Sequence, residues 1–322
     1  MAVFTPVSAI QAQAVLERYQ LGDLVGLEGI AEGVENSNFR LQTTTGVYAL
    51  TLFEKRTGAA ALPFCLSLMD QHARSGVPAP APHATRDGDR VSMVNDRPAV
   101  IVDWLEGSWL RAPRPQDQYA AGAMLARMHC VPEIEARRPN PVGPAAWHEL
   151  AKRCAGRAEG EHARMAEVLA AEVEWLSTRW PEHLPSGAVH ADYFPDNVLF
   201  SSGSVTGVID YYFACTDAFA YDLAVALSAW GFDRSGSPDT EGLQAFRAGY
   251  DSGRSFSREE SQSLPLLCRG AAVRFSLTRL HDALFHDPRW QVTPKDPRAY
   301  VRVLRHFQAA DNKGPRTAAQ VR

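Results

Sequence analysis

Near Gln116 the chain changes from strand patterns to helix patterns, and no other feature of the sequence constrains its fold as much. Upstream, Asn38-Phe39-Arg40-Leu41-Gln42 alternates as a half-buried strand does. Thr43-Thr44-Thr45-Gly46 then reads as a turn and residues 47–53 as a second strand. The pattern predicts a helix over residues 63–75, ended by Gly76 and the extended Val77-Pro78-Ala79-Pro80-Ala81-Pro82. Two more strands, 91–94 and 99–104, flank the turn Asn95-Asp96-Arg97-Pro98. An opening helix over 6–24, with Ser8 as its N-cap, precedes a stretch with glycines at 26, 29 and 33. Downstream of Gln116, helices are predicted over 119–129, 161–180, 221–230, 242–250 and 264–285. A strand-rich insert over 188–210 interrupts them. The tail after Asp311 is polar and reads as unstructured.

This layout is an α+β chain of two lobes. Residues 1–105 form a small β-rich lobe, 106–311 a larger helical lobe, and 312–322 a flexible tail. A length of 322 residues suits two modest domains around one cleft, the default place for a ligand. The formal net charge is −4 and Lys/Arg is spread along the chain, which argues against a nucleic-acid or anionic-membrane surface. Five widely spaced cysteines form no C-x-x-C pair and read as reduced thiols of a cytoplasmic protein. The N-terminus lacks the regions of a signal peptide, and no apolar run approaches the roughly 18 residues a membrane span needs. Oligomeric state cannot be read from these patterns.

The chemistry concentrates in His190-Ala191-Asp192-Tyr193-Phe194-Pro195-Asp196-Asn197. It fits H-x-D-x-x-x-x-N, the catalytic-loop pattern of phosphotransferases of the protein-kinase type. A loop position lets the Asp192 carboxylate meet an acceptor hydroxyl, and Asn197 can aim its amide oxygen at a metal ion on phosphates. Thirteen residues after Asn197, the strand Val205-Thr206-Gly207-Val208-Ile209 delivers Asp210 at its end. A strand-end Asp alone is usually a turn former. Behind this loop and a tight hairpin, it is placed to hold Mg²⁺ across the β- and γ-phosphates. The stretch 29–38 precedes the first hairpin, where backbone N–H groups can cover phosphates, although it matches neither the Walker pattern nor G-x-G-x-x-G.

With these pieces in place, the sequence resembles the aminoglycoside phosphotransferase and choline kinase superfamily from the Gly33 loop to about His286. The resemblance implies a two-lobed, protein-kinase-like fold that uses ATP and Mg²⁺. It implies Asp192 as base, Asn197 and Asp210 as metal ligands, and His190 and Asp222 as supports of the loop. It also implies ATP contacts at Gly33, Val34, Asn36 and Ser37, and an adenine-reading hinge at Asp103-Trp104-Leu105. Several stretches look more narrowly like the homoserine kinases of this fold: Gly33-Val34-Glu35-Asn36-Ser37-Asn38-Phe39, Tyr48-Ala49-Leu50-Thr51-Leu52-Phe53-Glu54, the loop His190 to Asn197, Ile209-Asp210-Tyr211-Tyr212-Phe213-Ala214-Cys215 and Arg269-Gly270-Ala271-Ala272-Val273-Arg274-Phe275. That likeness implies L-homoserine as acceptor and a place in threonine biosynthesis.

The second hairpin strand departs from the wider pattern. It carries Thr51 where a phosphate-binding cation is expected, and the helix 63–75 contains Asp70 but no Glu. Lys55 reads either as a phosphate contact or, preferably, as a solvated lysine. The acceptor's carboxylate calls for an arginine. Arg269, Arg274 and Arg279 step by five, about 140° each, so they cannot share one face. Arg274, between Val273 and Phe275, is the first choice. Asp196 and Asp217 are candidates for the ammonium, and Tyr211 for a further substrate contact. The arginines disfavour a polycationic aminoglycoside. Choline or ethanolamine, a methylthioribose-type sugar, and a non-catalytic nucleotide-binding protein stay open as alternatives.

Overall fold

A capping box starts the first helix. The Gln11 N–H donates to the Ser8 hydroxyl, the Gln11 side chain accepts from the Ser8 N–H, and α1 (Ala9–Leu16) follows. The computed structural model describes residues 5–30, 36–54, 59–286 and 294–311. Gly33, Val34, Lys55 and the tail 312–322 lie outside the described residues. The opening helix is shorter than its pattern suggests. Gly22, at φ +76°, turns the chain, and β1 (Leu24–Gly29) occupies what reads in sequence as a glycine loop.

β1 joins β2 (Asn36–Thr43), β3 (Val47–Phe53), β4 (Ser92–Val94) and β5 (Arg97–Asp103) in an antiparallel sheet ordered β1-β2-β3-β5-β4. The strand period of two divides its apolar residues between two cores. Leu50, Leu52, Ala99 and Ile101 pack with Ala12, Val15 and Leu16 of α1. Phe53, Val100 and Val102 face the other way and join the main core, with α2 (Leu62–Arg74). The central strands are therefore buried on both faces.

The helical part contains α3 (Pro115–His129), α4 (Pro144–Ala155), α5 (Gly160–Ser177), α6 (Phe219–Trp230), α7 (Thr240–Gly253), α8 (Arg258–Leu284) and α9 (Pro297–Asp311). Between α5 and α6 lie β6 (Ser186–Val189), paired with β9 (Cys215–Ala218), and the hairpin of β7 (Val198–Ser201) with β8 (Ser204–Val208). Sequence patterns announce neither α4 nor α9, and they start α8 six residues late. Pro265 lies inside α8, whose start is set by a capping box between Ser257 and Glu260.

The β7–β8 hairpin is tied to the connector between the lobes. Ser108 and Phe200 exchange backbone hydrogen bonds of 3.1 and 2.9 Å, and the Thr206 hydroxyl donates to the Glu106 carbonyl at 2.7 Å. Gly107 sits at φ +136°, and a Cβ there would lie 2.5 Å from Thr206 Oγ1, so only glycine fits this approach. All five cysteines are free thiols, and only Cys130 is exposed. Among the described residues, no helix is long and apolar enough to cross a membrane.

Candidate active site

β6 delivers the chain to His190, and the next two residues are held from several sides. The Asp222 carboxylate, on α6 and fully buried, accepts from the His190 N–H at 3.1 Å and the Ala191 N–H at 2.7 Å. Ala191 occupies the left-handed region, φ +60°, which costs a residue with a Cβ about 1–2 kcal/mol. The Arg274 guanidinium donates to its carbonyl at 2.5 Å. A buried carboxylate and a buried guanidinium thus grip the two backbone groups of the strained residue directly before Asp192.

The grip extends outward. His129, at the end of α3, meets Asp222 at 3.0 Å through Nε2 and the Tyr250 hydroxyl at 2.8 Å through Nδ1. His190 Nδ1 accepts from the Asp192 N–H at 3.3 Å, so Nε2 carries the proton and donates to the Ile209 carbonyl at 3.0 Å. Burial holds the His190 imidazole below its ordinary range, which keeps this neutral tautomer in place. Burial alone raises the Asp222 carboxyl. Hydrogen bonds from His129 and the Ala191 N–H outweigh it, and the group stays below the usual carboxylate range. His190 therefore braces the loop from inside.

Asn197 closes the loop. Its Nδ2 donates to the Asp192 carbonyl at 2.9 Å and approaches the Asp192 carboxylate at 3.3 Å, leaving the amide oxygen to face away from that carboxylate. The Asn197 carbonyl accepts from the Ile209 N–H at 2.9 Å, so Asp210 follows directly beside Asn197. Asp210 is itself left-handed, φ +64°. The hairpin has brought one amide and two carboxylates to one end. Oxygen donors of this kind suit Mg²⁺ better than a soft metal.

The segment after Asp210 is fixed by α2. Tyr211 is fully buried, its hydroxyl 2.9 Å from His72 Nδ1, and the Tyr212 ring meets Phe53 edge-on at 4.6 Å. Arg138 donates to the Tyr212 and Ala214 carbonyls at 3.0 and 2.6 Å. Tyr211 therefore lies inside the scaffold and presents no surface to an acceptor. Arg274 is only 2% exposed and lies against Phe213 and Phe275. The sequence pattern that favoured it, an arginine among apolar residues, marks burial. Asp196 stands on the open side of the loop, 3.4 Å from Lys295. Asp217 accepts from Asn140 at 2.7 Å on β9, and burial raises its carboxyl.

On the sheet side, the Thr51 hydroxyl donates to Asn38 Oδ1 at 2.8 Å. Ser37 is buried and donates to Glu54 at 2.7 Å, while Asn36 is buried across from Phe53. The Asp103 N–H is taken by the Ala81 carbonyl at 3.0 Å, and its carboxylate meets His83 at 2.7 Å. The Leu105 side chain packs near Gly207.

The pattern of APH, the phosphotransferase enzyme family, matches residues 26–256 and so spans the sheet, the loop and the hairpin. The chain belongs to this phosphotransferase family. Over 310 residues, the phosphotransferase is 43% identical to a homoserine kinase of Sinorhizobium medicae, covering 96% of this chain and 95% of that protein. Against a homoserine kinase of Afipia carboxidovorans it is 45% identical over 309 residues, with the same coverage. Among solved structures, a spectinomycin phosphotransferase bound to ADP and spectinomycin superposes with a TM-score of 0.70 at 16% identity, covering 95% of this chain and 99% of that one. A microcompartment-associated aminopropanol kinase gives 0.69 at 20%, covering 94% and 98%. These two likenesses establish the kinase-like fold. Family membership and the kinase relatives mark this phosphotransferase as an ATP-using kinase. Sequence reasoning missed Arg138 and Tyr250 as holders of its loop and hairpin, since neither lies in the motif.

Proposed function

We propose that the protein transfers the γ-phosphoryl group of ATP to the hydroxyl of L-homoserine, giving O-phospho-L-homoserine and ADP. The observation that carries the acceptor is the 43–45% identity to homoserine kinases across nearly the whole chain. The clamped loop supports the reaction type. In this reading residues 1–105 take the nucleotide and 106–311 the acceptor, in the cytoplasm, where five free thiols stay reduced.

Asn197 and Asp210 would hold Mg²⁺, which supplies charge neutralisation on the phosphates. Asp192 orients the acceptor hydroxyl toward the γ-phosphorus. As the new O–P bond forms and the bond to the β-phosphate oxygen breaks, the hydroxyl proton passes late to the Asp192 carboxylate, because an alcohol is far weaker an acid than a carboxyl. His190 and Asp222 keep the loop in place throughout. Asn36, Ser37 and the Asp103–Leu105 segment line the nucleotide side, and Asp196 is assigned to the acceptor's ammonium.

The test is ADP release from Mg²⁺-ATP with L-homoserine, choline, ethanolamine, a methylthioribose-type sugar and an aminoglycoside. Turnover confined to homoserine supports the reading. Turnover that favours another of these acceptors over homoserine, or none beside measurable ATP binding, overturns it.

A further inference from the structure

Beyond Arg258 in its first turn, α8 carries three arginines, in three different environments. Arg269 is spent on acids: it meets Glu172 at 2.6 Å and Asp311 at 2.6 Å and lies over the Trp175 ring. Arg274 grips the Ala191 carbonyl. Arg279 is half-buried, and among the described residues it makes no ion pair or hydrogen bond. Burial disfavours its charge, and the Asp192, Asp196 and Asp296 carboxylates act on it only without hydrogen bonds, so its donors are left for a group that arrives from outside.

Its position says which anion. Phe275 and Arg279 stand at i and i+4, on one face of α8. Phe275 packs on Phe194 of the catalytic loop at 4.8 Å and on Tyr300 of α9 at 5.1 Å. The Arg279 guanidinium lies over that same Tyr300 ring, 4.3 Å from its centre, and the Tyr300 hydroxyl is 3.4 Å from Ser228 on α6. Arg279 thus sits one helical turn from a residue that touches the loop, preoriented on an aromatic face. The Asp192 and Asp196 carboxylates both act on its charge. Arg279 therefore shares the helix face through which α8 meets the loop at Phe275.

We propose that Arg279, stacked on Tyr300, anchors the α-carboxylate of the amino-acid acceptor and is the specificity-determining residue of the site, while Arg274 is a positioning residue of the loop. The inference rests on the reading of the acceptor as an amino-acid alcohol. It divides between two arginines what the sequence assigned to one.

The experiment compares L-homoserine with 3-aminopropan-1-ol, the same molecule without its carboxylate, in wild type, Arg279→Met, Arg279→Lys and Arg274→Met. Melting curves check folding, and KM for ATP is measured in each. The expected result is a roughly 100-fold fall, in Arg279→Met, of the ratio of kcat/KM for homoserine to that for the amine, mostly through KM. Arg279→Lys restores part of it, since one point charge replaces a fork. If Arg279→Met does not fold, Arg279→Lys carries the same readout. Arg274→Met lowers both acceptors together. Equal losses on both acceptors in the Arg279 variants, or a rise in KM for ATP instead, would overturn the proposal alone. A wild type silent on homoserine would remove the acceptor reading and this proposal with it.

Discussion

The catalytic loop and the sheet are held by different means. The catalytic loop is gripped by buried charge: Asp222 on its N–H groups, Arg274 on its carbonyl, and two histidines behind. The sheet is held mainly by apolar packing on both faces and, at Thr51 and Asn38, by a neutral hydrogen bond, with charged contacts such as Glu54 to Ser37 and Arg97 at its ends. Buried charged groups tolerate little displacement, because losing one partner strands the other. Neutral pairs and apolar contacts give way gradually. The difference suits a kinase whose acceptor must be aligned closely while a charged nucleotide is held through many weaker contacts.

Four substitutions or conditions probe this contrast, in falling order of expected effect. Asp192→Asn should lower kcat by about 10³-fold with ATP affinity nearly unchanged, as general-base losses do. Steady-state rates beside nucleotide titration check it, and near-normal turnover would remove the residue from its role. Asp222→Asn should cost about 3 kcal/mol of stability and slow turnover, because one amide oxygen cannot replace a carboxylate that accepts from both backbone N–H groups. Urea unfolding measures the first, and an unchanged midpoint would show the grip is dispensable.

Acid should loosen the packing of α2 against the segment after Asp210. Burial lowers His72 from its ordinary 6.5 to about 3. Below pH 6.5 the unfolded chain takes up this proton while the folded chain does not. Stability therefore falls on acidification by about 1.4 kcal/mol per pH unit for this residue, and is fully present above pH 6.5. Melting between pH 7 and 5 should be less pH-dependent in His72→Gln by one proton's worth. An identical slope would place the titration elsewhere. The smallest effect is expected on the sheet: Thr51→Val should cost about 1 kcal/mol and leave ADP affinity within about twofold. A tenfold weaker ADP would mean that the neutral pair touches phosphate.

The lobes and the loop were legible because their signals are local. The spacing from Asp192 to Asn197 to Asp210 is set by one turn and one hairpin, so residues close in sequence define the site. The helix wheel stopped short on the arginines. It gives the angle between Arg274 and Arg279, but which face meets the loop is decided by α9, an element absent from the sequence reading. α9 had a signal: Tyr300, Val301, Val303, Leu304 and Phe307 are buried at helical spacing. Pro265 hid the start of α8, although Ser257 and Glu260 stand at capping-box spacing. Arg138, distant in sequence from every motif it holds, left no local trace.

Burial pushes the Cys65 and Cys154 thiols up to about 11, that of Cys268 to about 12, and that of Cys215 higher still. Cys130 alone is open to solvent, immediately after His129 and so one residue from the network behind the catalytic loop. The wild-type chain therefore offers a single solvent-exposed thiol at which a thiol-reactive fluorophore can be placed beside that network.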